Sequence, residues 1–198
     1  MGAEMRKVIY THMVSLDGFI EADESYKGPN WAVSDEELSR HFVDAESAID
    51  AHLYGRRIYE HLATWWPIAG KDPSTPEYLV EYARIWMNKP KIVFSRTLDH
   101  VEWNSRLVKE NAAEEIAKLK VQPGKDLSLF GSILASTVIP LGLIDEYLFY
   151  VNPAVLGRGK PMFPALDNVL HLRLVETRAF GCGVVLLRYC SRDERHKE

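Results

Sequence analysis

Short apolar segments alternate with longer amphipathic segments along most of the chain. The apolar segments are rich in β-branched and aromatic side chains, as buried strands are. In chain order, these strand-like segments are "KVIYTHMVSL", "AIDAHLY", "KIVFS", "DLSLF" and "IDEYLFYVNPAVL". The segments between them have helical spacing of apolar residues, and they are "SDEELSRHF", "RRIYEHLATWW", "TPEYLVEYARIWMN", "AAEEIAKLKVQ" and "GSILASTVI".

This alternation predicts one central sheet that is covered by helices on both faces. The sheet is expected to be mostly parallel, because helical crossovers join parallel neighbours. Two further strand-like segments, "LHLRLVETRAF" and "GVVLLRYC", are separated only by a glycine-containing turn and predict an antiparallel C-terminal edge. The predicted fold class is therefore an α/β three-layer αβα sandwich with a mixed sheet.

Three local signals set expected boundaries. Ser34 is followed three residues later by Glu37, a capping box that predicts the start of the first helix. Pro67 is expected to end the helix that begins at Arg56. The turn pair Asp17-Gly18 is followed by a stretch that soon becomes polar, which favours a loop over the second strand of a hairpin.

Composition narrows the possible functions. A single domain over residues 1–190 is predicted, followed by a polar tail at 191–198, because the pattern runs through the chain without a break. Lys and Arg number 24 against 28 Asp and Glu, a formal net charge of −4 that argues against nucleic-acid binding. The longest apolar run is interrupted by Pro140 and Gly142 and is too short to cross a bilayer.

The cysteines and the missing motifs add further expectations. Cys182 and Cys190 are eight positions apart in what is interpreted as one strand, which excludes a disulfide between them and favours a cytoplasmic location. The chain has no HExxH or Cys-x-x-Cys, so no metal site is expected, and His12 is interpreted as a packed or edge histidine. It also lacks GxGxxG and GxxxxGK[ST], so neither common nucleotide-binding loop is present.

The candidate chemistry lies where three predicted strands end, at "HLYGRR", "IVFSRT" and "LSLFGS". Each strand runs into glycine or serine and then a helix or turn, where free backbone amides favour an anion. Arg56 and Arg57 stand where the helix dipole disfavours a cation, and Arg96 has a similar place after another strand. A bound phosphate would relieve that conflict, which predicts NADPH over NADH. The alternative is a structural Gly55 followed by ordinary surface arginines.

Four stretches in this order and spacing resemble the dihydrofolate reductase-like superfamily: "SLDGFI", "LYGRRIYE", "IVFSRTL" and "LFGSILASTVIPLGLIDEYLFYVNPAVLGRGKPMF". The chain is most similar to the C-terminal reductase domain of the bifunctional riboflavin-biosynthesis deaminase-reductase and its stand-alone bacterial relatives. The resemblance covers nearly the whole chain. The zinc deaminase signature of the bifunctional enzyme is absent, so a separate protein would have to supply that step.

The resemblance implies a set of NADPH contacts. Two residues would border the nicotinamide ring, three would approach the phosphate side of the adenosine, two would flank the 2'-phosphate, and two would offer backbone amides to the pyrophosphate. In that order they are Met13, Ile20, Gly55, Arg56, Arg57, Ser95, Arg96, Gly131 and Ser132.

Acidic and substrate-binding candidates follow from the same resemblance, each with a structural alternative. Asp17 is the family's constant acid in the segment "SLDGFIEADESYKGPNW", which would be a mobile loop over the site, yet Asp-Gly is also an ordinary turn pair. Asp35 or Glu36 falls nearest to the acid that holds the pterin in dihydrofolate reductase, but either residue could simply start the helix. The remaining candidates are Trp31 as a pocket wall or buried anchor, and Arg158 and Lys160 as a phosphate contact or a solvated turn.

Three functions are therefore carried forward. The first is an NADPH-dependent reductase of 5-amino-6-(5-phosphoribosylamino)uracil or of a related heterocycle or carbonyl compound. The second is a dihydrofolate or pterin reductase, and the third is a non-catalytic NADPH-binding module. By the same resemblance, the protein is expected to be a homodimer with a small-molecule substrate. Its charge balance and its short apolar runs predict neither nucleic acid nor membrane as a partner.

Overall fold

A computed structural model describes residues 5–23, 25, 30–163 and 165–191. Its strands are β1 (Val8–Ser15), β2 (Phe19–Ala22), β3 (Ile49–Gly55), β4 (Lys91–Phe94), β5 (Ser105–Val108), β6 (Asp126–Phe130), β7 (Glu146–Asn152), β8 (Gly159–Pro161), β9 (Leu172–Ala179) and β10 (Val185–Ser191). Its α-helices are α1 (Glu36–Ala45), α2 (Arg56–Ala69), α3 (Glu77–Asn88), α4 (Ala112–Lys120) and α5 (Ser132–Val138). Short 3-10 turns follow α1 and α5, at Glu46–Ala48 and Ile139–Leu141.

One sheet of eight strands forms the centre of the described structure, in the order β5-β4-β3-β6-β1-β7-β10-β9. Every neighbouring pair from β5 to β7 is parallel. The pairs β7-β10 and β10-β9 are antiparallel. This arrangement confirms the predicted α/β sandwich, with its mostly parallel sheet and its antiparallel C-terminal edge.

The two faces of the sheet are packed differently. One face carries a single large core, in which Tyr10, Leu53 and Leu129 pack with Ile116 of α4 and Val138 of α5. The opposite face carries two smaller clusters. One cluster lies around Leu38, Tyr150 and Phe180, and the other lies around Tyr54, Tyr59 and Trp86. A cleft separates these two clusters.

The helix boundaries correct two expectations. The N-cap of α1 is Asp35, whose Oδ1 accepts the Leu38 N–H at 2.8 Å, so the predicted capping box at Ser34 is wrong. The helix α2 continues through Pro67 to Ala69. A proline there removes one hydrogen bond from the last turn only, and its buried ring adds packing.

Three short strands were not predicted. The segment after Gly18, expected as a loop, contains β2, which pairs with β8 in a separate two-stranded sheet. β5 adds an edge to the main sheet beside β4. These strands have three or four residues each, too few for an alternating pattern to emerge. Cys182 lies in the turn before β10 and not on the strand itself, and both thiols are free.

The ends of the chain are only partly described. The predicted polar tail at 191–198 lies outside the described residues from 192 onward, and residues 24 and 26–29 of the expected mobile loop lie outside them too. Within the described ranges, no helix is both long and apolar enough to cross a membrane. The same part of the chain holds no cluster of three or more potential metal ligands.

Candidate active site

A cleft of about 1550 Å³ runs between α1 and α2 over one face of β1 and β6, and it reaches the carboxyl ends of β3 and β4. It brings together ten of the residues singled out from the sequence, namely Met13, Ile20, Trp31, Gly55, Arg56, Arg57, Ser95, Arg96, Gly131 and Lys160. It leaves out five others, which are Asp17, Asp35, Glu36, Ser132 and Arg158. The strand ends therefore converge as the alternation of strands and helices predicts.

The helix α2 begins directly after Gly55 with its first-turn amides uncapped by any side chain and with no acidic residue in its first turn. Opposite it, Gly131 has a φ of +102°, a conformation that glycine tolerates far better than other residues. A Cβ at Gly131 would lie 3.4 Å from Ile58 Cγ2 and 3.9 Å from the Gly55 nitrogen. Glycine at this position therefore keeps open the space in front of the α2 amides.

The Gly131 N–H donates a hydrogen bond to His12 Nε2 at 3.0 Å. Burial, with a smaller contribution from the nearby Lys160 charge, lowers the pKa of His12 to about 4. The imidazole is therefore neutral at pH 7 with Nε2 as the acceptor. His12 is packed, as expected, but it also fixes the turn between β6 and α5. This role could not be predicted from the sequence, because His12 and Gly131 are 119 positions apart.

A titration of stability should reveal this role of His12. Because the folded protein holds His12 neutral, the unfolded state binds its proton first as the pH falls below about 6.5. Relative to His12→Gln, the wild type should lose about 2.5 kcal/mol of unfolding free energy between pH 7.5 and pH 4.5. Urea denaturation at several pH values measures the difference, with His61→Gln as the exposed control; a pH-independent difference would contradict the assignment.

The three arginines near the carboxyl ends of β3 and β4 are not equivalent. Arg56 donates from Nε to Glu60 at 3.0 and 3.1 Å, and from Nη1 to Thr97 Oγ1 at 2.7 Å. Arg57 and Arg96 are exposed, and neither forms a salt bridge or side-chain hydrogen bond within the described ranges. A phosphate would therefore compete with Glu60 for Arg56, while Arg57 and Arg96 have their full donor capacity.

Ser95 shapes the loop that carries Arg96. Its Oγ accepts the N–H groups of Thr97 and Leu98 at 3.2 and 3.1 Å. Its own N–H donates to the Val108 carbonyl at 3.0 Å, which ties the end of β4 to the end of β5. Lys109 follows at this end of the cleft, which we call the basic end and define by Arg56, Arg57, Arg96 and Lys109.

Asp17 joins two loops and does not line the cleft. Its Oδ1 accepts from Ser15 Oγ at 2.7 Å and from the Leu156 N–H at 3.1 Å, and its Oδ2 accepts from the Gly157 N–H at 2.7 Å. The Ser15 hydrogen bond, with those from the backbone, holds the pKa of this exposed carboxyl below its usual value. All of these contacts are those of a residue that stabilises a turn and its neighbouring loop, which is the structural alternative to a catalytic role for Asp17.

The other two candidate acids also have structural partners. Asp35 caps α1, and Glu36 pairs with Arg40 one turn later at 2.8 Å. The position that faces inward from the first turn of α1 is Leu38, which is fully buried. Of the two interpretations for Asp35 and Glu36, the start of the helix is the one that these contacts match.

Two of the three candidate substrate residues line the cleft, and one does not. Trp31 and Lys160 line the cleft, whereas Arg158 lies outside it and donates from Nη2 to Ser25 Oγ at 2.9 Å. Asp23 lies 3.8 Å from the Nε of Arg158. Lys160 Nζ is 4.0 Å from Glu21 Oε2 across the small β2-β8 sheet.

The floor of the cleft contains polar residues that the sequence did not suggest. Thr11 Oγ1 and Ser128 Oγ lie 3.1 Å apart on adjacent strands. Tyr82 donates to Glu46 Oε1 at 3.2 Å. Ile9, Thr11 and Met13 lie on the same face of β1. The hydroxyl of Thr11 between two apolar residues is the only sequence signal that could have indicated this floor.

Behind the floor, Glu46 is held in a buried network. His52 Nε2 contacts its two oxygens at 3.0 and 3.1 Å, and Lys89 Nζ lies 3.3 Å from Oε2. Burial alone would raise the pKa of Glu46, but His52 and Lys89 hold it below its usual value. The network continues from His52 Nδ1 to Tyr54 at 2.7 Å and from Tyr54 to Trp86 at 3.0 Å, so its groups are already satisfied.

Comparisons with known proteins agree with this geometry. The family model described as "RibD C-terminal domain" matches residues 6–186. The uncharacterized protein YyaP of Bacillus subtilis (strain 168) is 36% identical over 187 residues, which is 94% of this chain and 95% of YyaP.

Two solved structures show the same fold. A protein described as a riboflavin biosynthesis protein from Shewanella sp. PV-4 superposes with a TM-score of 0.73 at 21% identity, covering 94% of this chain and 99% of that one. Dihydrofolate reductase from Enterococcus faecalis, complexed with NADP(H) and RAB-propyl, superposes with a TM-score of 0.58 at 14% identity, covering 94% of this chain and 97% of that one.

Proposed function

This chain belongs to the RibD C-terminal domain family, and from that premise we propose that it is an NADPH-dependent reductase of a small heterocyclic or carbonyl compound. The resemblance to the riboflavin-biosynthesis reductases is confirmed at the level of family and fold. The specific substrate 5-amino-6-(5-phosphoribosylamino)uracil is one member of the class that we propose.

One observation carries the proposal: uncapped amides and two uncommitted arginines face the same open space. The α2 amides lie across from Gly131, whose missing side chain keeps that space free. Arg57 and Arg96 border it from α2 and from the loop after β4. Backbone amides at a helix start and arginine guanidinium groups are the donors that a phosphorylated dinucleotide needs. The residues present therefore fit NADPH.

The chain's own residues would have two tasks. Arg57, Arg96 and the α2 amides would bind phosphate groups, and the strand β1 with Met13 and Ile20 would border the transferring carbon. The bound nicotinamide supplies a hydride. The protein's contribution to that transfer is orientation and exclusion of water, for which no catalytic acid is required when water can donate the proton.

Two alternatives are less well supported. A pterin reductase of the dihydrofolate type would use an acid at the start of α1, but Asp35 caps the helix and Glu36 pairs with Arg40. A non-catalytic NADPH-binding module would need only the basic end of the cleft, whereas the cleft extends on to the floor at Thr11 and Ser128. The extension favours an enzyme.

A homodimer and a cytoplasmic location complete the proposal. The strand β9 is the outer edge of the main sheet, and Leu174 and Val175 on it are 49% and 48% exposed. Pairing with a second copy would cover such an edge. The two free thiols are compatible with a reducing compartment.

A titration with NADPH and NADH, followed by tryptophan fluorescence and by calorimetry, tests the proposal. We expect NADPH to bind in the micromolar range and NADH about 100-fold more weakly, because the 2'-phosphate adds charge-assisted hydrogen bonds. NADPH should then be oxidised when acceptors are supplied. Absence of binding by either cofactor would refute the reductase, and binding without turnover of any acceptor would favour the non-catalytic module.

A further inference from the structure

A chain of hydrogen-bonded side chains runs from the protein surface to the cleft. It begins at the exposed Glu37, whose Oε1 accepts from Arg178 Nη2 at 2.9 Å. The same guanidinium group reaches His41 of α1, with 3.5 Å between Arg178 Nη1 and His41 Nδ1. His41 Nε2 lies 3.1 Å from the hydroxyl oxygen of Tyr150 on β7. His41 and Tyr150 both line the cleft, so the chain ends where a ligand would bind.

Arg178 fixes the direction of these hydrogen bonds. A guanidinium group can only donate, so His41 Nδ1 is the acceptor. Burial, with a contribution from the Arg178 charge, lowers the pKa of His41, so the imidazole is neutral at pH 7 and carries its one hydrogen on Nε2. Nε2 therefore donates to the Tyr150 oxygen. The hydrogen of the Tyr150 hydroxyl itself has no acceptor among the described residues, which leaves it available to a ligand in the cleft.

Tyr150 stands beside a residue that is proposed to border the nicotinamide. It is directly opposite Met13 in the parallel pair of β1 and β7, so the two side chains lie on the same face of the sheet. Its ring packs edge-on against Phe42 of α1, with 4.7 Å between centroids. Burial raises the pKa of Tyr150 above its ordinary value, so the phenol keeps its proton. A fixed hydroxyl donor is therefore placed next to the expected position of the transferring carbon.

Resting on the proposed reductase activity, we propose that the Tyr150 hydroxyl donates a hydrogen bond to the heteroatom of the acceptor and that His41 positions this hydroxyl. The acceptor is then a compound with a carbon doubly bonded to oxygen or nitrogen. Tyr150 is a catalytic residue in this scheme, and His41 is a positioning residue.

The reaction balances without a side-chain acid. The bond between the nicotinamide carbon and its hydrogen breaks, and the hydride bonds to the acceptor carbon. The electron pair of the double bond moves to the heteroatom, which takes a proton from water. The cofactor is oxidised and the acceptor is reduced, each by two electrons. Negative charge grows on the heteroatom as the hydride arrives, so the hydrogen bond from Tyr150 is strongest in the transition state.

Tyr150→Phe tests the catalytic part of the proposal, because it removes only the hydroxyl. The probes are 5-amino-6-(5-phosphoribosylamino)uracil and 7,8-dihydrofolate, which offer a carbon doubly bonded to nitrogen, the first in its open-chain form. At saturating NADPH, we expect kcat to fall about 20-fold for whichever probe the wild type reduces, because a hydrogen bond to developing charge is lost. The dissociation constant of NADPH should stay within about twofold.

Tyr147→Phe is the matched control. Tyr147 is also buried on β7, but its side chain packs in the core on the opposite face of the sheet. This substitution should leave kcat unchanged. Thermal unfolding of both variants separates an effect on catalysis from an effect on stability.

Substitutions of His41 test the positioning part. His41→Leu should lower kcat about fivefold, and His41→Gln should keep it within about twofold of the wild type, because the glutamine amide can donate to Tyr150 in place of Nε2. When His41→Leu is combined with Tyr150→Phe, the loss should stay near about 20-fold and not reach the product of about 100-fold. A residue with a merely structural role would give losses that multiply.

The outcomes separate this inference from the proposed function. An unchanged kcat in Tyr150→Phe, or an equal loss in Tyr147→Phe, would overturn the inference and leave the reductase activity in place. Losses that multiply in the double variant would overturn the role of His41. If the wild type bound NADPH but reduced neither probe, the inference would also be overturned. Absence of NADPH binding would instead refute the proposed function itself.

Discussion

Replacing Arg57 and Arg96 together with glutamine should weaken NADPH binding by about 100-fold and NADH binding by less than about threefold. Both guanidinium groups lie at the basic end of the cleft with their donors uncommitted among the described residues. Each charge-assisted hydrogen bond to a phosphate contributes about 1.5 kcal/mol or more, so two such losses give the expected factor. NADH lacks the 2'-phosphate and should lose little.

Arg56→Gln is the informative comparison for this pair of substitutions. Its guanidinium group already pairs with Glu60 and Thr97, so its loss should weaken NADPH binding by no more than about threefold. Arg84→Gln, on the exposed surface of α3, serves as a remote charge control. Calorimetric titration with both cofactors measures all four proteins. A loss of the same size for NADPH and NADH would show that the arginines do not read the 2'-phosphate.

The second large effect is expected at Gly131. Gly131→Ala should reduce NADPH affinity at least about 30-fold, because the new Cβ would lie 3.4 Å from Ile58 Cγ2 in the first turn of α2 and strains a backbone with φ of +102°. The same substitution should destabilise the protein by about 1 to 2 kcal/mol.

Gly142 provides a matched control, because it also has a positive φ, of +64°, but a Cβ there would meet nothing within 4 Å. Gly142→Ala should therefore cost similar stability while leaving cofactor affinity unchanged. Thermal unfolding and cofactor titration of both variants separate the two effects. If both variants bound NADPH as the wild type does, the gap in front of the α2 amides would have no part in binding.

The sequence indicated the sheet because its central strands are continuous apolar segments. Residues at the ends of these strands, such as Gly55, Arg96 and Gly131, could be grouped because parallel strands end at the same edge. The floor at Thr11 and Ser128 could not be found in this way. These two hydroxyls are 117 positions apart, and they meet only because β6 inserts beside β1.

The roles of the acidic residues at the start of α1 could not be predicted from the sequence either. Asp35 and Glu36 are adjacent, and both favour a helix start, so composition alone cannot distinguish a cap from a ligand-binding group. The distinction depends on which side of the helix faces the sheet. In the folded chain that side is occupied by Leu38, and a buried carboxylate, Glu46, follows the other end of the helix.

The contacts of Asp17 have a consequence for how specificity in this fold could be re-engineered. Besides the Asp17 hydrogen bonds to Leu156 and Gly157, the Met162 N–H donates to the Gly18 carbonyl at 3.0 Å, and β2 pairs with β8. Hydrogen bonds thus hold the segments 16–22 and 154–162 together as one structural unit, although they are far apart in the sequence. Because most of these donors and acceptors are backbone groups, the bonds depend on how the two segments are placed against each other. A chimaera should therefore inherit both segments from the same parent.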